Sequence, residues 1–341
     1  MKAIPFQKKG PADALEIVTW PDPMIEADEV LIEVKAFGLN YADIMARKGQ
    51  YYDAPPMPFI PGYEVAGVVK EVGSSVKKIK KGQKVLAFTD FGGYAELAKT
   101  KEEGCLLLPK GMNFAQAASI PVNFATAYHC LHNTGIINKT SRVLIHAAAG
   151  GVGLSAIQIA KNAGCEVFGT AGSDAKLSLL KEYGVDHPIN YRTQDFAQEV
   201  MRITDNEGID IILDSIGGAY IKKGIKILRP NGRMVSFGVA ALSSRGGLGS
   251  LTLIPEVLSM VTLSAIDLLS KSKSFYGVNM KALGDARPDI LRSILDEVLK
   301  QFEKKKLKTV IHKEYSWKQI AEAHALIESR ASTGKIVLLV D

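Results

Sequence analysis

Short apolar runs fill the first 120 positions: VLIEVKAFG from residue 30, EVAGVVKEVG from 64, KVLAF from 84 and CLLLP from 105. Runs of this length, alternating with polar residues and punctuated by Gly and Pro, predict a mostly β region. From residue 140 the texture changes to strand, glycine turn and helix, repeated: RVLIHAA then GGVGLSAIQIAKNAG, EVFGTAG then DAKLSLLKEYG, IDIILDSIGG then a helix, and RMVSFG. Strands alternating with helices predict parallel βαβ units in a doubly wound α/β sheet. SFYGVNM is the last strand available to that sheet. The tail then predicts a helix over 289–304, the run KTVIHKEYS, a helix around 317–329 and a final strand KIVLLV, a mixed texture that returns the chain to its first domain. The expected division is a mostly β domain of residues 1–123 and 281–341, and an α/β domain of residues 124–280.

One stretch, residues 251–270, is apolar enough to raise a membrane span, but Pro255, Glu256 and Asp267 interrupt it short of the roughly 20 apolar residues a span needs. It reads as one or two amphipathic helices with a face to bury on the protein or on a second subunit. A length of 341 residues fits two domains at roughly 150 residues each. With 47% hydrophobic and 23% charged residues the composition excludes a disordered chain. Forty-two Lys and Arg against 36 Asp and Glu leave +6, which admits an anionic ligand without calling for nucleic acid. Cys105, Cys130 and Cys165 are odd in number and form no CxxC pair, against both a disulfide framework and a zinc ribbon. Together with a start, MKAIPFQKKGP, that lacks a signal pattern, they point to the cytoplasm.

The segment from Ala147 through Gly150, Gly151, Val152 and Gly153 follows a strand and opens a helix stopped by Gly164. A helix N-terminus offers unpaired N–H groups and a partial positive charge to a pyrophosphate, and glycine lets the backbone approach it. Ala148 holds the first glycine position of GxGxxG, so a tight strand-to-helix turn remains the plainer account of the motif alone. At the tip of the second strand, FGTAGS, an NAD site would carry Asp or Glu for the ribose hydroxyls. None stands there: Glu166 lies within the strand, and Asp174 reads as the N-cap of a helix beginning at Ala175. The vacancy favours a 2′-phosphate, with Lys176 in the first turn of that helix as its cation and Tyr191 with Arg192 after the next strand as further contributors, hence NADPH.

Gly38-Leu39-Asn40-Tyr41-Ala42-Asp43 and Pro61-Gly62-Tyr63-Glu64, followed by the glycine turn, resemble the medium-chain dehydrogenase/reductase superfamily over essentially the whole chain. Where its zinc alcohol dehydrogenases carry a Cys ligand and Gly-His-Glu, this chain has Asn40 and Tyr63, and the four-cysteine lobe is reduced to Cys105. Neither amide nor phenol is a usual zinc ligand, so no metal is expected. The GxN, AAxGGVG and ESRAxxG motifs, the last at Glu328-Ser329-Arg330-Ala331 with Gly334, resemble the zinc-independent quinone oxidoreductases, and YADIMARKGQYYDAPPMPFIPGYE their vesicle amine transport protein homologue branch. The resemblance implies a Rossmann sheet beside a GroES-like domain, a homodimer formed through the cofactor domain, and a small-molecule electron acceptor. It sets Asn40, Asp43 and Thr126 near the nicotinamide, Gly172, Ser173, Lys176 and Tyr191 on the adenosine phosphate, and Tyr51 beside the substrate. Arg330 is carried over with the cofactor residues.

Hydride transfer uses the cofactor's own reactivity, so the protein has to bind, orient and exclude water. Tyr51 and Tyr63 are the phenols available to return a proton, although each also suits an apolar cleft wall, and Asn40 also suits a turn such as GLN. The leading expectation is an NADPH-dependent reductase of quinones or other electron-poor double bonds. An enoyl thioester reductase and a cofactor-binding, transport-associated scaffold with little catalysis stay open, because fold does not fix function.

Overall fold

The computed structural model describes residues 1–243 and 263–341. The chain forms two compact units, one of Met1–Ala125 with Met280–Asp341 and one of Thr126–Asn279.

The first unit is built on a seven-stranded sheet whose long central strand is Glu29–Leu39. Antiparallel to it, Glu64–Val72 runs along one edge, while the other edge pairs with Leu97–Lys101 over its first half and with Lys335–Leu339 over its second. Both faces of the C-terminal half of the central strand are covered, with Ala36, Phe37 and Leu39 all buried. Ile32, Val34, Phe37, Val65, Val85, Ile336 and Leu338 share one core with Tyr94, Tyr315 and Trp317. Burying a side chain of this size contributes about 1.5–3 kcal/mol, which is why the alternating runs fold as they do. The tail adds a small parallel unit, strand Ile311–Ser316, helix Ile320–Glu328 and strand Lys335–Leu339. Its last strand sets Ile336 opposite Leu39 and Val337 opposite Gly38, so Lys335 stands next to the residue that ends the central strand.

The second unit is a doubly wound sheet. Its six parallel strands run His187–Asn190, Glu166–Ala171, Arg142–Ile145, Ile209–Asp214, Leu228–Ser236 and Ser274–Gly277 across the sheet, that is third, second, first, fourth, fifth and sixth in chain order. The α/β class and the last strand therefore agree with the sequence pattern. One local expectation is corrected: the helix after the second strand begins at Asp174, not Ala175, and Ser173 is its N-cap, accepting from the Lys176 N–H at 3.4 Å. Serine in extended backbone just ahead of the helix competes better for the free N–H groups than an aspartate already in the first turn.

The predicted insert lies mostly outside the described residues. Its described end forms a six-residue helix, Ala265–Ser270, with no buried residue: Ile266 is 77% and Leu269 83% exposed. Just before it Leu263 packs on the core of the second unit, so the expected packing on the chain's own surface holds for that residue and not for the helix. Among the described residues no helix is long and apolar enough to cross a membrane.

Candidate functional site

In the first unit the central strand delivers Asn40, and the chain then turns into the helix Tyr41–Arg47. The Asn40 side chain lies in a bed of buried charge. Lys335 donates to its Oδ1 at 2.6 Å, its Nδ2 donates to Glu64 Oε1 at 3.0 Å, and Lys335 and Glu64 form an ion pair. Glu64 is fully buried and Lys335 nearly so. The second oxygen of Glu64 accepts the Val122 N–H at 2.7 Å. Gly38 is required here, since a Cβ on it would stand 2.5 Å from both Glu64 Oε1 and Lys335 Cε.

Asp43, one turn into the helix, has no exposed surface, and its Oδ2 accepts the Asn40 N–H at 2.8 Å. Its other oxygen is buried near the Tyr94 phenol without a hydrogen bond of standard geometry. Burial pushes this carboxyl up to about 7, against the opposing pull of the Asn40 N–H. Asp43 therefore acts through Asn40 and has no surface of its own to offer a ligand. Tyr51 and Tyr63 meet edge to face at 5.9 Å, and Phe91 packs on Tyr63 at 5.1 Å. Tyr63 is buried with its hydroxyl lacking a standard hydrogen bond, while Tyr51 stays half-buried. Burial, with the Asp53 charge second, pushes Tyr51 up to about 12, and burial drives Tyr63 further. Both phenols keep their protons at neutral pH. Arg330 is exposed, with its backbone in the left-handed region at the end of the tail helix.

In the second unit the first and fourth strands are neighbours from which the chain winds in opposite directions, so the crevice at their C-terminal ends is the ligand-binding point of such sheets. The glycine turn sits there. Gly150 is the N-cap of the helix Gly151–Asn162, and Gly153 must be glycine because a Cβ would stand 2.5 Å from the Ala148 carbonyl oxygen. Val152 lies in the first turn of that helix. Thr126 is buried on the helix Pro121–Tyr128. At the second strand's tip, Gly172 faces the Tyr191 hydroxyl, which would lie 2.6 Å from an added Cβ, with Arg192 Nε at 3.2 Å. Lys176 is half-buried beside Arg192, and burial followed by that like charge holds its ammonium below the usual lysine range. Gly172, Ser173, Lys176, Tyr191 and Arg192 thus form one cationic corner. Glu166 is used elsewhere, at the opposite end of its strand, by Arg142 at 3.0 Å and His187 at 2.8 Å.

Sequence reasoning overlooked Lys335 and Glu64 as part of the Asn40 site. The available signal was a charged residue opening each of two apolar strands, EVAGVV and KIVLLV, where a buried position was due. Arg47 was overlooked as well: 2% exposed, it donates to the Gly10 carbonyl at 2.8 Å and pairs with Glu328 of the tail motif. The three thiols are buried, and burial pushes Cys105 up to about 12, so none is a ready nucleophile. Among the described residues no group of three or more His, Cys, Asp or Glu side chains is arranged to hold a metal ion.

Over residues 26–112 the chain matches the alcohol dehydrogenase GroES-like domain, and over residues 183–338 the zinc-binding dehydrogenase family. It is 33% identical over 312 residues to the human synaptic vesicle membrane protein VAT-1 homolog, covering 91% of this chain and 79% of that protein. The chain spans from 66% to 82% of the length of the VAT-1 homologues it matches. Among solved structures, Escherichia coli quinone oxidoreductase complexed with NADPH superposes with a TM-score of 0.87 at 29% identity, over 99% of this chain and 100% of that one. The CurK enoyl reductase gives 0.86 at 30%, over 100% and 99%. A GroES-like unit with a doubly wound parallel sheet is the plan of the medium-chain dehydrogenase/reductases. Within that superfamily the chain belongs to the quinone-oxidoreductase-like family that includes the VAT-1 homologues.

Proposed function

We propose that this chain is an NADPH-dependent reductase that delivers hydride to quinones or other electron-poor double bonds without zinc. The observation that carries the cofactor choice is the corner at the second strand's tip, where Lys176 and Arg192 lie side by side and the nearest acid, Asp174 in the first turn of the helix, is met by the Asn190 amide at 3.5 Å. Two adjacent cations suit a phosphate. The pyrophosphate would lie on the N–H groups heading the helix Gly151–Asn162, and Gly172, Ser173, Lys176 and Tyr191 would take the 2′-phosphate. Asn40, with Asp43 behind it, and Thr126 are assigned to the nicotinamide end by the family resemblance, which carries Arg330 over only as a cofactor residue. When bound, NADPH supplies the hydride.

Zinc does not suit the Asn40 position for a reason of charge. The Asn40 oxygen already accepts from the Lys335 ammonium at 2.6 Å, so a metal ion there would face a fixed buried cation. Tyr51 and Tyr63, both retaining their protons, are the candidate acids. A quinone product can also be protonated from water, whereas a saturated thioester needs a proton on carbon. The half-buried Tyr51 phenol favours enoyl thioester reduction as a second reading. The proposed assembly is a homodimer in a reducing compartment.

The test is stopped-flow oxidation of NADPH by the metal-free protein with quinones, enals and enoyl thioesters, repeated with Tyr51→Phe. Quinone turnover that survives Tyr51→Phe is expected. Turnover confined to thioesters and lost in Tyr51→Phe selects the second reading, and tight NADPH binding with no acceptor reduced leaves a cofactor-binding scaffold.

A further inference from the structure

We propose that Lys335 and Glu64 are positioning residues that fix the direction of the Asn40 carboxamide, a role that rests on reading Asn40 as a neighbour of the nicotinamide. An asparagine amide carries a donor at one end and an acceptor at the other, and its two orientations differ by a half-turn. An ammonium can only donate and an ionised carboxylate can only accept. With Oδ1 at 2.6 Å from Lys335 Nζ and Nδ2 at 3.0 Å from Glu64 Oε1, one orientation makes two charge-assisted bonds. The half-turn would set an NH2 against the ammonium and an oxygen against the carboxylate. Most amide orientations are chosen by weak preferences among neighbours, but here the chemistry of the neighbours allows one.

The direction has a consequence for a ligand. One Nδ2 proton goes to Glu64 and the other reaches toward the Gly38 carbonyl at 3.4 Å. Oδ1 accepts from Lys335, and the capping box at the start of the helix also sets it toward the Asp43 N–H. Asn40 is 8% exposed, so a ligand meets an amide whose donor and acceptor ends are fixed by its own neighbours. The ion pair imposes this polarity from opposite parts of the chain, Lys335 lying 295 residues from Asn40 and Glu64 lying 24.

A buried ion pair is a poor device for stability alone. Replacing both partners with uncharged residues of similar volume is often neutral, whereas removing one leaves a stranded charge. That difference supplies the test. Glu64→Gln combined with Lys335→Met removes both charges, and with its one oxygen kept on the Val122 N–H the Gln amide turns its NH2 toward Asn40 and so favours the reversed orientation. Lys335→Arg, which keeps the donor and the charge, is the conservative control. Four quantities are measured on each full-length protein: melting temperature, NADPH dissociation constant, emission spectrum of bound NADPH, and kcat with the best acceptor.

For the double variant we expect kcat to fall about tenfold or more, since a small misplacement at a reacting centre costs one to two orders of magnitude. The emission of bound NADPH should change with it, while the melting temperature and the dissociation constant, dominated by the phosphate contacts, stay close to wild type. Lys335→Arg should recover part of kcat. A double variant with wild-type kcat and emission overturns the proposal. So does one whose kcat falls only in step with its melting temperature. If wild type binds NADPH but reduces no acceptor, the reductase reading fails instead, and the emission of bound NADPH, which needs no acceptor, still decides for or against the role of the ion pair.

Discussion

Lys176 and Asp43 are two residues whose surroundings alter their ordinary chemistry toward a ligand or a proton. Lys176 sits beside Arg192, both at a strand tip whose nearest acid, Asp174, is met by the Asn190 amide. A hydrogen bond to a charged group contributes about 1.5–3 kcal/mol, so Lys176→Ala should weaken NADPH by about tenfold to a hundredfold and leave NADH unchanged. Equal weakening of the two in paired titrations would make the lysine a bystander. Gly172→Asp should also lose NADPH, but its gain in NADH will be small. The new side chain would displace the Tyr191 hydroxyl and lie close to Arg192, which would compete with the ribose for the carboxylate. Asp43 gives a pH prediction. Its folded pKa of about 7 lies above the usual carboxylate value near 3.8, so between these values the folded protein holds a proton that the unfolded chain has released. Stability from this group is present at low pH, declines as pH rises from about 4 to about 7, and then levels. Asp43→Asn has no such proton. Its melting temperature relative to wild type should improve between pH 5 and pH 8, and a difference that does not move with pH would give Asp43 an ordinary pKa. His146 and His324, both held near 3 by burial, push the opposite way but are common to both proteins.

At the scale of elements, the short helix Tyr41–Arg47 is pinned at both ends. Asp43 holds the Asn40 N–H at its start, and Arg47 at its end bonds Gly10 and Glu328. Glu328 also pairs with Lys48 and is 35% exposed, whereas Arg47 is almost completely buried. The two partners should therefore differ on removal. Glu328→Leu strands a buried cation and should cost about 3 kcal/mol, while Arg47→Met leaves a carboxylate that keeps Lys48 and water and should cost about 1 kcal/mol. Urea unfolding of the two variants checks this, and the reverse order would mean that the pair is not desolvated in solution. This bond also marks where the sequence stops being informative. The ESRA motif was visible as letters, and the helices at 289–304 and 317–329 were visible as periodicity, observed as Pro288–Glu303 and as Trp317–Gln319 with Ile320–Glu328. The Arg47–Glu328 pair was not, because it joins residues 281 positions apart and periodicity reports only the neighbours of a strand or helix face.

For the molecule as a whole the α/β class was legible because strands alternating with helices admit few arrangements. The bed of Asn40 was not, because two buried charges and a glycine that makes room for them break the apolar pattern and resemble surface positions when read along the chain. The helix Ala265–Ser270 shows the same effect in reverse, an apolar pattern that promised burial and leaves Ile266 and Leu269 in water. That exposure bears on assembly. Ser274–Gly277 is the outermost strand of the parallel sheet, and among the described residues nothing pairs with its outer side. An open strand edge is a template for another strand, and folded proteins cover such edges. Tyr276 on that strand is 38% exposed, and the chain reaches it from the helix carrying the two bare apolar residues. A second copy related by a two-fold axis would meet edge with edge and bury the same residues on both partners, the isologous contact expected of a homodimer. Light scattering after gel filtration should give twice the 36.9 kDa chain mass. Gly277→Pro removes an N–H from that edge, since the Val278 N–H is given to Ser236 and N–H groups alternate along a strand, and Ile266→Lys with Leu269→Lys makes the neighbouring helix repel its copy. Either change should shift the protein toward the monomer with the fold retained. A wild-type monomer at micromolar concentration, or a dimer indifferent to both changes, would leave this edge covered by some other part of the chain.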